Sequence, residues 1–200
     1  MPICIECGEH SQNIFTNKKA ISTCKKCNKK MDRYYEVNNT LLLIDILLLR
    51  VEVFRHIIHN RTIIRPFIFY TTYFISRVVF ISKYFNLYNT FSFSLILKLI
   101  ICAFIEMGLL VLFVSFLNKF MLSLVFNTFI ITSFYYLFVY FMILWSYKEL
   151  EYYVLIEILV MLSNSIGLSC ISKCSIEYMF IVIGMLKIPI YLMYYYVYLK

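Results

Sequence analysis

Cys4, Cys7, Cys24 and Cys27 are the residues of this chain whose type and spacing point most directly to chemistry. They form two Cys-x-x-Cys knuckles separated by sixteen residues, which lies within the spacing range of a four-thiolate metal site. Two residues inside a knuckle let both sulfurs face one ion, and two knuckles complete a tetrahedron with bonds of about 2.3 Å. Gly8 and Asn28 follow the knuckles, where a tight turn favours a left-handed backbone. The stretches on either side of Asn17–Lys19 are expected to pair as a short hairpin, giving a zinc ribbon with structural Zn2+. Disulfides would need an oxidising compartment, and rubredoxin-like iron uses similar knuckles. A RING would need a second ligand set, and His10 is the only histidine nearby. Four thiolates leave no open coordination position, so catalysis at the metal is not expected.

Further chemistry is sparse. Asp45, Glu52, Arg55, His56 and His59 share one face at helical spacing. A metal or acid–base cluster is one reading of that face. The reading preferred from the pattern is the polar stripe of an amphipathic helix with Glu52–His56 and Arg55–His59 pairs, its residues also open to binding the zinc ribbon or headgroups. Glu106 lies inside a long apolar run, where a carboxylate is costly and usually faces a partner; Lys187, in another run, is the partner expected for it. Lys98 and Glu157, nearer the ends of runs, are expected to snorkel. Cys102, Cys170 and Cys174 read as small hydrophobes. There is no Ser-His-Asp set, no His-Glu-x-x-His and no phosphate-cradling glycine loop, so no enzymatic activity is expected.

The elements that would hold these residues divide by composition. The chain has 200 residues, 62% of them hydrophobic and only 15% charged. Fourteen of its 19 Lys and Arg lie at or before Lys98. The second half lacks the polar surface of a soluble fold, which implies an integral membrane protein. The wealth of Tyr and Phe beside two alanines reflects compositional bias and carries little functional weight. Residues 1–36 read as the ribbon, basic and too poor in large apolar residues to fold without a metal. Residues 37–94 read as an amphipathic, membrane-associated region. Within it, 38–64 is expected to be one interfacial helix capped by Asn38, Asn39 or Thr40, and Ile63–Ser82 is apolar but interrupted by Arg65, Pro66 and Arg77. Residues 95–200 read as a transmembrane bundle with spans at about 95–117, 120–145, 154–171 and 178–199, each near the ~20 residues a bilayer requires. The expected fold is therefore mostly α: a small amino-terminal zinc ribbon, an amphipathic interfacial helix, then about four transmembrane helices. The basic bias before the first span places the amino-terminal half in the cytosol. The polar first thirty residues lack the apolar core of a signal peptide, so insertion is expected to depend on the later segments. The ribbon lysines suit anionic headgroups better than nucleic acid once the chain is membrane-anchored.

The order CIECG, CKKC, MDRYYEV and LLLIDILLLRVEVFRHIIHN, followed by several spans, resembles the Arv family of endoplasmic-reticulum membrane proteins. That family joins a four-cysteine zinc ribbon to a short motif that is matched here by Ile44, Asp45, Leu48, Arg55, His56 and Asn60. Asn28 and Phe54 depart from its usual Gly and Tyr. The resemblance covers about residues 3–60. It implies a role in lipid homeostasis: sterol transport and distribution, sphingolipid metabolism, and glycosylphosphatidylinositol-anchor synthesis. It makes sterol or glycolipid the expected partner. Two mechanisms follow: direct handling of lipid in a groove between spans beside Glu106, or a non-enzymatic scaffold that recruits a membrane-bound lipid-synthesis enzyme.

Overall fold

The structure, a computed structural model, describes residues 2–16, 20–61, 66–85, 93–119, 121–147, 149–172 and 174–199. The chain forms two compact units, residues 1–64 with 169–173, and residues 65–168 with 174–200. The region 37–94 is thus shared between them.

The first unit opens with two knuckles of the same construction. Cys4 N donates to Glu9 O and Gly8 N to Cys4 O; in the second knuckle Cys24 N donates to Lys29 O and Asn28 N to Cys24 O. Gly8 (φ 74°) and Asn28 (φ 57°) both take the left-handed conformation that closes the turn. No extended strand forms among the described residues. Isolated antiparallel bridges (Ile3 with His10, Phe15 with Ile21, Thr23 with Lys30) hold the ribbon instead. The Phe15–Ile21 bridge brackets the expected hairpin, whose tip at Asn17–Lys19 lies outside the described residues. Cys4, Cys24 and Met31 form a small buried core with Ile14 and Ile21 packed against it.

After a 3-10 turn at Arg33–Tyr35 come α1 (Asn39–Leu47), α2 (Val51–Arg55) and a π-helical turn at His56–Asn60. One helix was expected over 38–64; instead the chain breaks between α1 and α2, with Leu49 at φ 55°. The break lets Arg50 reach back, its N donating to the Asp45 carbonyl and its Nε 3.3 Å from Asp45 Oδ1. Asn38 caps α1 through its backbone carbonyl, which accepts from Leu41 N and Leu42 N; its side chain makes no capping bond. Leu41, Leu43, Ile44, Leu47 and Leu48 remain exposed on this unit.

The second unit contains α3 (Pro66–Tyr84), α4 (Phe93–Asn118), α5 (Leu122–Thr132), a 3-10 turn at Ser133–Leu137, α6 (Phe138–Leu144), α7 (Leu150–Ile171, its last turn counted with the first unit) and α8 (Ile176–Leu199). Phe93–Asn118, Leu122–Leu144, Leu150–Ile171 and Ile176–Tyr196 are each long and apolar enough to cross a bilayer. The chain is a multi-pass membrane protein. Its spans leave Phe93, Phe116, Leu144 and Ile188 exposed, as expected for surfaces solvated by lipid. The second span changes pitch at Ser133–Leu137, where Thr132 and Ser133 both donate to Asn164 Oδ1 of α7. Close approach of α5 and α7 there depends on Gly167, since a Cβ at that position would lie 2.4 Å from Thr132 Cγ2.

Candidate metal centre and intramembrane charge cluster

The four knuckle thiols converge. Their Sγ atoms all lie within 4.8 Å of one another, with Cys4–Cys27 at 3.7 Å and Cys7–Cys24 at 3.6 Å. A tetrahedron of about 2.3 Å metal–sulfur bonds has edges of about 3.8 Å, so the donor set fits a metal ion. Each cysteine is free, and the sulfurs are much too far apart for a disulfide. Amide hydrogens of Cys27 and Lys26 pull the Cys24 thiol down to about 7, whereas burial pushes the Cys4 thiol up to about 12. One thiolate is thus favoured chiefly by backbone amides, and a cation at the centre would supply the field for the others.

The motif residues of the helical segment turn towards this ribbon. Arg55 Nη1 donates to Ile5 O (2.8 Å) and Glu6 O (2.7 Å), two carbonyls of the first knuckle. His56 Nδ1 donates to Asp32 Oδ2 at 2.7 Å, and Asn60 Nδ2 donates to the same oxygen at 2.7 Å. Asn60 also pairs with the backbone of Ile3 in both directions, at 2.9 Å each way. Asp45 accepts from Tyr34 Oη at 2.7 Å. The hub is Asp32, fully buried, whose Oδ1 accepts from Tyr34 N. Of the two roles open to this polar stripe, the structure shows binding to the ribbon: Arg55, His56 and Asn60 form a clasp on it. The expected partners differ: His56 meets Asp32, and His59 Nε2 meets Cys170 O at 3.1 Å. Asp32 was not singled out from the sequence. Its one signal was position, between the second knuckle and an aromatic pair.

In the second unit the structure brings Glu106 and Lys187 together, with Nζ 2.6 Å from Oε1. The pair belongs to a larger cluster. Arg77 of α3 holds Glu106 with two bonds of 2.8 Å and Glu157 with one of 3.2 Å. Lys187 lies 2.8 Å from Glu157 Oε1. Tyr194 Oη donates to Glu106, and Tyr136 Oη to Glu157, while the Arg77 guanidinium stacks over the Tyr136 ring at 4.7 Å. Glu157 is buried in this network rather than snorkelling: Arg77 and Lys187 neutralise it, which makes the interior cheaper than a reach for the interface. Lys98 is exposed. Two bases and two acids leave the cluster without net charge, the condition for burying ions at all. Arg77 had been read only as an interruption of an apolar segment.

Compared with known proteins, residues 3–92 match the model of the Arv1-like family. Over that span, a little under half of its length, this chain is similar to the Arv1-like family. Relatives are the Protein ARV1 of Candida albicans, 37% identical over 65 residues (30% of this chain, 22% of that protein), and that of Eremothecium gossypii, 36% over 62 residues (29% and 21%). The human Protein ARV1 is 31% identical over 64 residues (30% and 24%). The aligned stretch spans less than a quarter of the length of each of these relatives. No solved structure matches the chain. The family match takes in the metal centre, the clasp and Arg77; it ends just before α4, so Glu106, Glu157 and Lys187 lie beyond it.

Proposed function

We propose that the chain acts in lipid homeostasis at the endoplasmic-reticulum membrane, taking part in sterol distribution and affecting sphingolipid metabolism and glycosylphosphatidylinositol-anchor synthesis. The family match over residues 3–92 carries this reading. Cys4, Cys7, Cys24 and Cys27 hold a structural Zn2+, whose contribution is to fold the ribbon. The ribbon faces the cytosol, where the exposed leucines of α1 and the basic ribbon residues meet anionic headgroups. Catalysis plays no part in this reading: the thiols would be saturated by the metal, and the carboxylates of the bundle are committed to ion pairs.

Direct handling of lipid is favoured over recruitment of an enzyme by one observation. The membrane unit contains a cavity of about 620 Å³ beside the charge cluster, lined by α7 and α8, and a scaffold has no need of one. Mass spectrometry of the full chain purified in mild detergent tests both readings. Direct handling predicts one zinc and a near-stoichiometric, distinctive lipid per chain. Lipid-synthesis subunits co-purifying without such a lipid would overturn direct handling in favour of the scaffold.

A further inference from the structure

The cavity has a chemical character of its own. It lies between the carboxyl-terminal end of α3, at Tyr84 and Phe85, and helices α7 and α8. At about 620 Å³ it falls in the size range of small-molecule sites, which are mostly apolar with a few polar groups that fix orientation. Most of its wall is hydrocarbon, including Val154, Met161 and Leu192; its polar end is made by Glu157, Lys187 and Tyr191. Gly184 gives the wall room, with only the mobile Met161 Cε near the place of an added Cβ. Ile158, Ile188 and Leu192 are exposed as well as lining the cavity. The mouth therefore opens through the apolar flank of the bundle, where lipid tails lie.

Two features restrict what fits. The Tyr191 hydroxyl is buried and has no hydrogen-bond partner among the described residues. Its ring is held by Tyr84 at 5.3 Å and Tyr194 at 6.3 Å, so the hydroxyl cannot easily swing out to find one. A buried hydroxyl left unpaired is unfavourable unless something supplies the bond. The charges beside it, in contrast, are already matched: Lys187 with Glu157 and Glu106, Arg77 with both acids. With two positive and two negative groups bonded to one another, the polar end offers no surplus cation to a phosphate.

We infer that this cavity binds a neutral lipid with a hydroxyl head, the head bonding Tyr191 Oη and the apolar body lying along α7 and α8 towards the lateral mouth. The inference deepens the lipid-handling reading and rests on it. The test uses the full chain in phosphatidylcholine vesicles with three diazirine–alkyne photoprobes: a sterol and a ceramide, both neutral with a hydroxyl, and an anionic phosphatidic acid. Cross-linked peptides are mapped by mass spectrometry. At least one neutral probe is expected to label residues 154–161 or 184–195. Tyr191→Phe should lower that labelling about five- to tenfold, as loss of one hydrogen bond implies, and Gly184→Leu should abolish it by filling the wall. Tyr191→Phe removes only an unpartnered oxygen, so its unfolding temperature should equal or exceed that of the unsubstituted chain. It decides the matter alone if Gly184→Leu misfolds. Neutral-probe labelling that survives Tyr191→Phe overturns the proposal, as does its absence from these helices. Phosphatidic acid in the cavity at equal or greater yield would overturn the hydroxyl assignment while leaving lipid handling intact. Failure of lipid handling itself would show separately, as absence of any retained lipid from the purified chain.

Discussion

Arg77→Met should destabilise the membrane unit by roughly 3–5 kcal/mol, the cost of breaking a buried ion pair by removing one partner. The geometry argues for the lower end. Arg77 makes three charge-assisted bonds, two to Glu106 and one to Glu157, each nominally worth about 1.5–3 kcal/mol. After its loss Glu106 keeps Lys187 at 2.6 Å and Tyr194 at 2.9 Å, and Glu157 keeps Lys187 at 2.8 Å. What remains is one surplus negative charge in an apolar interior, partly relieved by two hydroxyls and an ammonium. Removing Glu106 as well, in Arg77→Met with Glu106→Leu, restores neutrality and leaves the Lys187–Glu157 pair intact. The double variant should therefore cost at least about 2 kcal/mol less than the two single costs added together, a coupling in the range seen for residues of one network. Unfolding in mixed micelles with increasing dodecyl sulfate, followed by far-ultraviolet circular dichroism, yields the four free energies of the cycle. Additivity within about 0.5 kcal/mol, the behaviour of independent sites, would refute the claim that these residues are held by mutual neutralisation.

Asp32→Ala should loosen the ribbon from its clasp by about 3 kcal/mol, because the donors of His56 and Tyr34 N would be left buried and unpaired at ~1–3 kcal/mol each, while half-buried Asn60 loses one bond and keeps that to Ile3. Limited proteolysis within residues 1–61 should accelerate accordingly. Gly167→Ala and Gly108→Ala should move thermal stability in opposite directions: the first drives a methyl 2.4 Å from Thr132 Cγ2, whereas nothing lies within 4 Å of the second, where Ala gains about 1 kcal/mol of helix propensity. Burial lowers the proton affinity of His59 below its ordinary value. As pH falls below about 6.5 the unfolded chain therefore takes up the proton first, and stability is lost. His59→Gln should lose less stability than the unsubstituted chain as pH falls below about 6.5, measured as the shift in unfolding temperature.

How much of this was legible from the residues depends on how far each signal reaches along the chain. The knuckles were legible because their ligands, turns and left-handed residues lie within five positions of one another. The four spans were legible because bilayer thickness sets a length. Glu106 and Lys187 stood out because a charge in an apolar run is conspicuous. Arg77 did not, since Arg65, Pro66 and Lys83 make its own segment look polar, and the acids that neutralise it are 29 and 80 residues away. The break at Leu49 has neither Gly nor Pro to announce it; the long-range bonds of Asp45 and Arg55 favour two short helices over one. Helical spacing grouped Asp45, Arg55 and His56, which the structure turns towards the ribbon from separate helical pieces, but periodicity does not say what covers a set of residues. A polar stripe facing headgroups and a clasp on Asp32 have the same pattern of residue types. One criterion could have separated buried charge from snorkelling charge in the membrane half. Ions can be buried in lipid only as a neutral set, so Lys187 and Glu106, once Glu157 is admitted, call for one more cation. Lys98 and Arg77 both lie in apolar sequence ahead of the last span; Lys98 is exposed, and Arg77 supplies the missing charge.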